Sequence, residues 1–368
     1  MRQVKKNSSL PSKLAALKPV HVYRDERRVV LGTPFPALRE MYTPNDLHYV
    51  LHRFSVPSLD VKKWKLRIYG KVERPIELNY NELLRMPSKT LTVTLECAGN
   101  GRALYDPPVS DVIIPWEHHG VSNAVWKGVP LASVLQIVKV QGSAKEVAFK
   151  GADHGIDNIC GSEEEIYFER SLPLKKAMDT DTLLAYEMNG ETLPKKHGFP
   201  LRLVVPGWYG MASVKWLTEI KVIENSFKGF YQADRYRYVY EWSDKPGNGT
   251  PVTKARVKSL ITQPLEGEIL KKGEIRVGGI AWGGDAKVKR VEISSDGGLT
   301  WDKARLVSRP TYYAWSRWEY LWKVSESGVF VLMARAVDEL GNAQPFRARW
   351  NRQGLGNNSI HAINVWVS

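Results

Sequence analysis

The sequence predicts an α+β region to about residue 248 and an all-β, immunoglobulin-like sandwich over 249–368, preceded by an irregular arm over 1–45. Three observations carry this. Before residue 248, alternating strand-like stretches mix with short helical ones, with no βαβ repeat and no dinucleotide fingerprint. Ser243-Asp-Lys-Pro-Gly-Asn-Gly-Thr250 is rich in turn formers and reads as a linker. After it, short alternating strands and turns follow one another for roughly 115 residues, the pattern of a sandwich.

The elements follow in order. Val61, Trp64, Leu66 and Ile68 open the mixed region. Asn81 to Met86 predicts a short helix capped by Asn79 or Asn81. Leu91 to Cys97 alternates cleanly: Leu91, Val93, Leu95 and Cys97 share one face, Thr92, Thr94 and Glu96 the other. Leu131 to Val138 has helical spacing, and Pro200–Val205 and Val214–Val222 read as further strands. In the second region Val291 and Ile293 alternate with Arg290 and Glu292. Asp296-Gly297-Gly298 then supplies residues that tolerate positive φ, a hairpin signal. Thr300 to Leu306 returns, and Phe330 to Ala336 is another strand, stopped by Asp338-Glu-Leu-Gly-Asn342.

Composition narrows the function. With 43% hydrophobic and 25% charged residues, the chain is globular rather than disordered or fibrous. Two cysteines, Cys97 and Cys160, exclude a disulfide scaffold and a zinc site built from cysteine pairs. No apolar run reaches the ~18 residues of a membrane-spanning helix. The net charge is +14, and residues 1–40 hold nine Lys or Arg against three acids. That fits a solvated basic surface, an anionic ligand or an acidic protein partner. Nucleic acid is disfavoured, because the aromatic residues sit in strand-like runs rather than beside basic stripes. The basic start lacks an apolar signal core, so a cytoplasmic location is expected; a removed leader would look the same and would make it periplasmic.

Two clusters could carry chemistry. Cys97 ends a strand and is followed by Ala-Gly-Asn-Gly, where glycines allow a sharp turn and close approach of a bulky group. Arg102, five residues on, favours a thiolate or an anion, while Glu96 argues against simple thiol nucleophile chemistry. On its own Cys97 also fits a buried core thiol. The stretch from His197 to Trp216 gathers His197, Arg202 and Lys215 around Gly198, Gly207 and Gly210. Exposed backbone N–H groups and cations of this kind suit a phosphorylated cofactor.

These residues bring a family into view. Glu96-Cys-Ala-Gly-Asn-Gly-Arg102 resembles the cysteine motif of the sulfite oxidase family of molybdenum enzymes, and His197–Trp216 resembles its second cofactor motif. Asp296-Gly-Gly-Leu-Thr-Trp301, Ala334-Arg-Ala-Val-Asp338 and Trp350-Asn351 resemble its sandwich-type dimerisation domain. The resemblance runs from about residue 45 to the end. It implies a molybdopterin-binding domain over 46–248 and a dimerisation domain over 249–368. Molybdenum would be held by a molybdopterin dithiolene and by the Cys97 thiolate, a soft ligand suited to such a metal. Further cofactor contacts are implied at Tyr49, Val50, His52, Arg53, Asp153, His197, Arg202, Ser213, Val214 and Lys215. Arg102 and Trp116 match an anion-site arginine and a pocket tryptophan.

Departures bear on the substrate. The first-loop arginine of sulfite-oxidising members falls at Leu51, with Arg53 two residues later; the active-site tyrosine falls at Phe168; another arginine falls at Ser316, beside Arg317. Arg53, Arg102, Trp116, Phe168 and Arg317 are therefore the substrate-site candidates. The resemblance implies oxygen-atom transfer, first of all sulfite to sulfate, with a sulfoxide, nitrate or another sulfur compound as the alternative. The family's haem domain has no counterpart here, so electrons are expected to leave to an external acceptor such as a cytochrome. A homodimer is implied through the second domain. Cys160, His118 and His119 have no matched role.

Overall fold

The computed structural model describes residues 14, 16–24, 28–109, 114–159, 162–241 and 248–368. Cys160 and residues 243–247 of the expected linker lie outside them.

The segment expected to be an irregular arm contains a hairpin. β1 (Val20–Arg24) and β2 (Val29–Gly32) pair antiparallel, and α1 (Phe35–Leu38) follows. Val20, Val22, Val29 and Val30 are β-branched and favour extended backbone, a signal masked by the charges around them. Leu31 pairs with Val50, which fixes the chain that carries Tyr49, Leu51 and Arg53.

The first region is built mostly from strands: β3 (Lys65–Gly70), β4 (Ile76–Asn79), β5 (Lys89–Glu96), β6 (Val121–Pro130), the long hairpin β7 (Glu146–Ile159) and β8 (Ser162–Pro173), β9 (Leu183–Met188), β10 (Glu191–Thr192), β11 (Arg202–Val204), β12 (Leu217–Ile223), and the short pair β13 (Arg237–Tyr238) and β14 (Thr250–Pro251). One sheet runs β10-β9-β6-β5, with β11 also on β9; the other runs β4-β3-β12-β7-β8. Among the described residues the α-helices besides α1 are α2 (Tyr80–Arg85), α3 (Leu131–Val138), α4 (Leu174–Ala177) and α5 (Phe230–Ala233), none longer than the eight residues of α3. The expected α+β character is thus corrected toward β. Alternation and β-branched residues set the region, and helices fill only the connections. Asn79 caps α2: its side chain accepts from the Glu82 N–H, and Glu82 reaches back to the Asn79 N–H. α3 buries Leu131, Val134, Leu135 and Val138, the i, i+3, i+4, i+7 stripe its spacing predicts. These join Leu66, Ile68, Val147, Phe149, Ile220 and Val222 in the main core.

The second region contains only strands: β15 (Lys258–Gln263), β16 (Ile269–Leu270), β17 (Gly273–Trp282), β18 (Val288–Ser294), β19 (Asp302–Leu306), β20 (Ser316–Val324), β21 (Gly328–Asp338) and β22 (His361–Val367), ordered β15-β17-β20-β19-β18-β21-β22-β16. Val291, Ile293, Trp318, Trp322, Leu332, Ala334, Ile363 and Val365 form its core. The Asp296-Gly297-Gly298 turn takes positive φ at both glycines, and Asp296 accepts hydrogen bonds from Thr300. Among the described residues no helix is long and apolar enough to cross a membrane.

Candidate active site

A cavity of about 360 Å³ opens where the Cys97 turn, the Tyr49–Phe54 segment, the β7–β8 hairpin and the His197–Lys215 stretch converge. Alternation sorts the Tyr49–Arg53 segment. Tyr49, Leu51 and Arg53 line the cavity, whereas Val50 pairs with Leu31 and His52 turns back to donate to the Lys196 carbonyl (2.8 Å). Val214 packs in the main core. Val50, His52 and Val214, expected as cofactor contacts, do not line this cavity.

Cys97 is buried at the end of β5, and its N–H donates to the Gly120 carbonyl (2.8 Å). Burial pushes its thiol up from the ordinary value; Arg102, the Gly99 N–H and the Trp116 indole pull it down, and Glu96 adds to the rise. A Cβ at position 99 would lie 2.7 Å from Arg102 Cζ, so a larger residue there would displace the guanidinium. Gly101 sits at φ +88°, in the left-handed region, and lets the turn reverse into Arg102. Arg102 faces the cavity with its Nε buried and without a hydrogen-bond partner among the described residues. Burial lowers its pKa, yet a guanidinium stays charged. A buried cation with a spare donor suits an anion.

On the opposite wall Arg202 Nη1 donates to the His197 carbonyl (3.0 Å) and Nη2 to the Ser213 carbonyl (3.2 Å), while Ser213 Oγ accepts from the Val205 N–H (3.1 Å). Lys215 Nζ donates to the Leu51 carbonyl (2.8 Å). Burial lowers Lys215, Arg202 lowers it further, and Asp153 opposes both. Asp153 is pushed up by burial against Lys215, and its Oδ1 lacks a partner among the described residues. The sequence thus brings together Tyr49, Arg53, Cys97, Arg102, Trp116, Asp153, Phe168, His197, Arg202, Ser213 and Lys215.

Arg317, expected among the substrate-site residues, lies away from the cavity. It sits on β20 opposite Ile280 of β17, and its N–H donates to Ser308 Oγ. Strand register turns the neighbouring Ser316 and Trp318 inward instead. His119 Nδ1 donates to the Thr33 carbonyl, and the His118 ring packs on His361.

Several lining residues were missed. His48 donates from Nδ1 to the Tyr49 carbonyl (3.0 Å), leaving Nε2 an unpartnered acceptor among the described residues. Arg28 and Arg235 add cations. Asp157 pairs with Arg53 (3.3 Å) and accepts from the Tyr231 hydroxyl (2.7 Å). Tyr236 lines the cavity together with Phe168. It holds φ +53°, a conformation costly for a bulky residue. Its N–H donates to Gln353 Oε1 (3.3 Å), a second-domain residue also on the cavity wall. Asp234-Arg-Tyr-Arg237 carries no periodic signal, and only the fold brings it to the site.

The buried histidines make the fold acid-sensitive. Burial pushes His48 down to about 3, His52 to about 2 and His361 to about 3, and lowers His197 as well. Each folded pKa lies below the unfolded ~6.5, so the unfolded chain binds more protons. The stability is present above about pH 6.5 and is lost as pH falls. Each such histidine steepens the loss by about 1.4 kcal/mol per pH unit. Urea unfolding of the cofactor-free chain should show a midpoint falling steeply from pH 6.5 to 5; a flat midpoint would contradict it.

The donor set fits a molybdenum cofactor. Among the described residues no three His, Cys, Asp or Glu side chains are placed to hold a metal. A metal here must therefore bring its other ligands with it and take one thiolate from the chain. Arg202 and Lys215 suit the phosphate of such a ligand, and unpartnered acceptors at Asp153 and His48 suit its ring N–H groups.

Comparison with known proteins agrees. Residues 53–231 match the oxidoreductase molybdopterin binding domain, and residues 250–368 the Mo-co oxidoreductase dimerisation domain. The chain is 33% identical over 352 residues to the mitochondrial sulfite oxidase of Rattus norvegicus, covering 91% of this chain and 63% of that protein. It is 33% identical over 363 residues to sulfite oxidase of Arabidopsis thaliana, covering 90% of each. The solved sulfane dehydrogenase SoxCD of Paracoccus pantotrophus superposes with a TM-score of 0.82 at 29% identity, over 98% of this chain and 92% of that one. The buried cysteine turn, the basic cofactor wall and the two-domain match together place this chain in the sulfite oxidase family of molybdopterin-dependent oxidoreductases.

Proposed function

We propose that the chain oxidises sulfite to sulfate by oxygen-atom transfer and passes the electrons to an external acceptor such as a cytochrome. The balance is sulfite plus water giving sulfate, two protons and two electrons, so the acceptor must take two electrons per turnover. The observation that carries the reading is the buried Arg102 guanidinium, with an unpartnered Nε, beside the Cys97 sulfur. Bound through Cys97, the molybdenum cofactor would supply two-electron redox chemistry coupled to oxygen transfer. Arg202, Lys215, His197 and Ser213 would hold its phosphate end, and Asp153, His48 and Tyr49 its ring system. Arg102 binds the substrate anion, Tyr236 orients it with its phenol, and Trp116 closes the pocket against water.

A second reading rests on Leu51 and the Arg53–Asp157 pair. Leu51 lines the cavity with an apolar side chain, and Asp157 offsets the charge of Arg53. An apolar wall and a charge-paired arginine at these positions favour a larger, less charged sulfur substrate. Steady-state assay of the molybdenum-loaded protein with sulfite and a one-electron acceptor decides. A micromolar KM supports sulfite, and a millimolar or weaker one moves the assignment to the second substrate class.

The second domain, read as immunoglobulin-like, is proposed to pair two copies of the chain through the outer face of β16, β22 and β21. Ile269, Trp366 and Val329 lie in register there and are 74%, 45% and 60% exposed. The dimerisation-domain match covers these strands. Val329→Asp with Trp366→Arg should halve the mass seen by light scattering; an unchanged dimer would remove this face from the interface.

A further inference from the structure

We propose that Lys258, in the second domain, is a positioning residue for the Cys97 sulfur and acts through Glu96 and Asn100. The inference rests on Cys97 being the metal ligand. Strand alternation directs consecutive side chains to opposite faces, so Cys97 enters the cavity while Glu96 enters the boundary between the domains. There the Glu96 and Lys258 side chains are 3% and 2% exposed, with Lys258 Nζ 3.3 Å from Glu96 Oε1. Asn100 Nδ2 donates to the same oxygen (3.0 Å), and Trp282 Nε1 donates to Glu96 Oε2 (2.9 Å).

The turn is tied down at the same place. Lys258 Nζ donates to the Asn100 carbonyl (3.3 Å), Asn357 Nδ2 to the Gly101 carbonyl (2.7 Å), and the Gly356 N–H to the Ala98 carbonyl (2.7 Å). Asn100 Oδ1 accepts from the Gly120 N–H (3.0 Å). Lys258, Trp282, Gly356 and Asn357 all belong to the second domain, whereas the sulfur belongs to the first. A buried carboxylate one residue from a thiolate repels it unless a cation compensates, and a buried cation without its carboxylate is equally costly. The pair therefore makes the placement of the sulfur depend on how the domains dock.

The test is a double-mutant cycle of Glu96→Gln, Lys258→Gln and their combination, which is neutral, close in volume and able to hydrogen-bond. Two readouts are taken on the full chain: amide exchange of residues 98–102 in the cofactor-free protein, with β18 as internal reference, and molybdenum per chain after loading. Each single change is expected to speed exchange in the turn at least tenfold, with β18 unchanged, and to lower molybdenum content at least threefold. The double change should return both to within twofold of native. Should a single variant be insoluble, recovery in the double still supports the proposal, and no recovery overturns it. Singles that match the native chain also overturn it. A native chain that takes up no molybdenum would instead remove the functional reading, while exchange in the cofactor-free turn would still report on Lys258.

Discussion

Replacement of Cys97 by serine is expected to leave a folded protein with negligible turnover. Cys97 ends β5 on the face that carries Leu95 and Val93, and serine is close to cysteine in size. The backbone of the turn is held by other groups, so the fold should persist. A serine oxygen is a hard, weakly acidic ligand and a poor substitute for a thiolate on a metal with sulfur ligands. Changes to groups behind a metal ligand cost about 10–100-fold in activity or affinity; loss of the ligand itself should exceed that range. Circular dichroism and turnover measured on the same sample check the result. Activity within tenfold of native would remove Cys97 from the metal.

Arg102→Gln is expected to raise the KM for sulfite with little change in cofactor content. The guanidinium faces the cavity, and its Nε has no partner among the described residues. A hydrogen bond to a charged group contributes about 1.5–3 kcal/mol, which corresponds to roughly 10–150-fold in affinity. Arg317→Gln is the internal control: Arg317 sits on β20, away from the cavity, and its loss should leave KM within about twofold. Equal effects of the two changes would contradict the placement of the anion site.

The sequence was legible where one short stretch carries a complete physical signal. β5 reads from Leu91, Val93 and Leu95, the helix α3 from its apolar stripe, and the hairpin turn from Asp296-Gly297-Gly298. The cofactor wall was legible for a similar reason, because His197, Arg202, Ser213 and Lys215 lie within twenty residues of one another. The substrate side was not. Tyr236, Arg28, Asp157 and Gln353 come from four separate segments, and only tertiary packing brings them to one cavity. Arg317 was a candidate only as the neighbour of Ser316, and adjacent residues of a strand point to opposite faces. Glu96 was read through its charge alone; its partner lies 162 positions away in sequence.

Three peptide oxygens of the sulfur-bearing turn find their donors beyond residue 250. Anyone wishing to shrink this protein to a minimal catalyst, or to transplant its chemistry into another scaffold, should therefore keep both halves. An excised N-terminal fragment would keep the turn's bonds to Gly120 but lose these three, so the smallest portable unit is the pair.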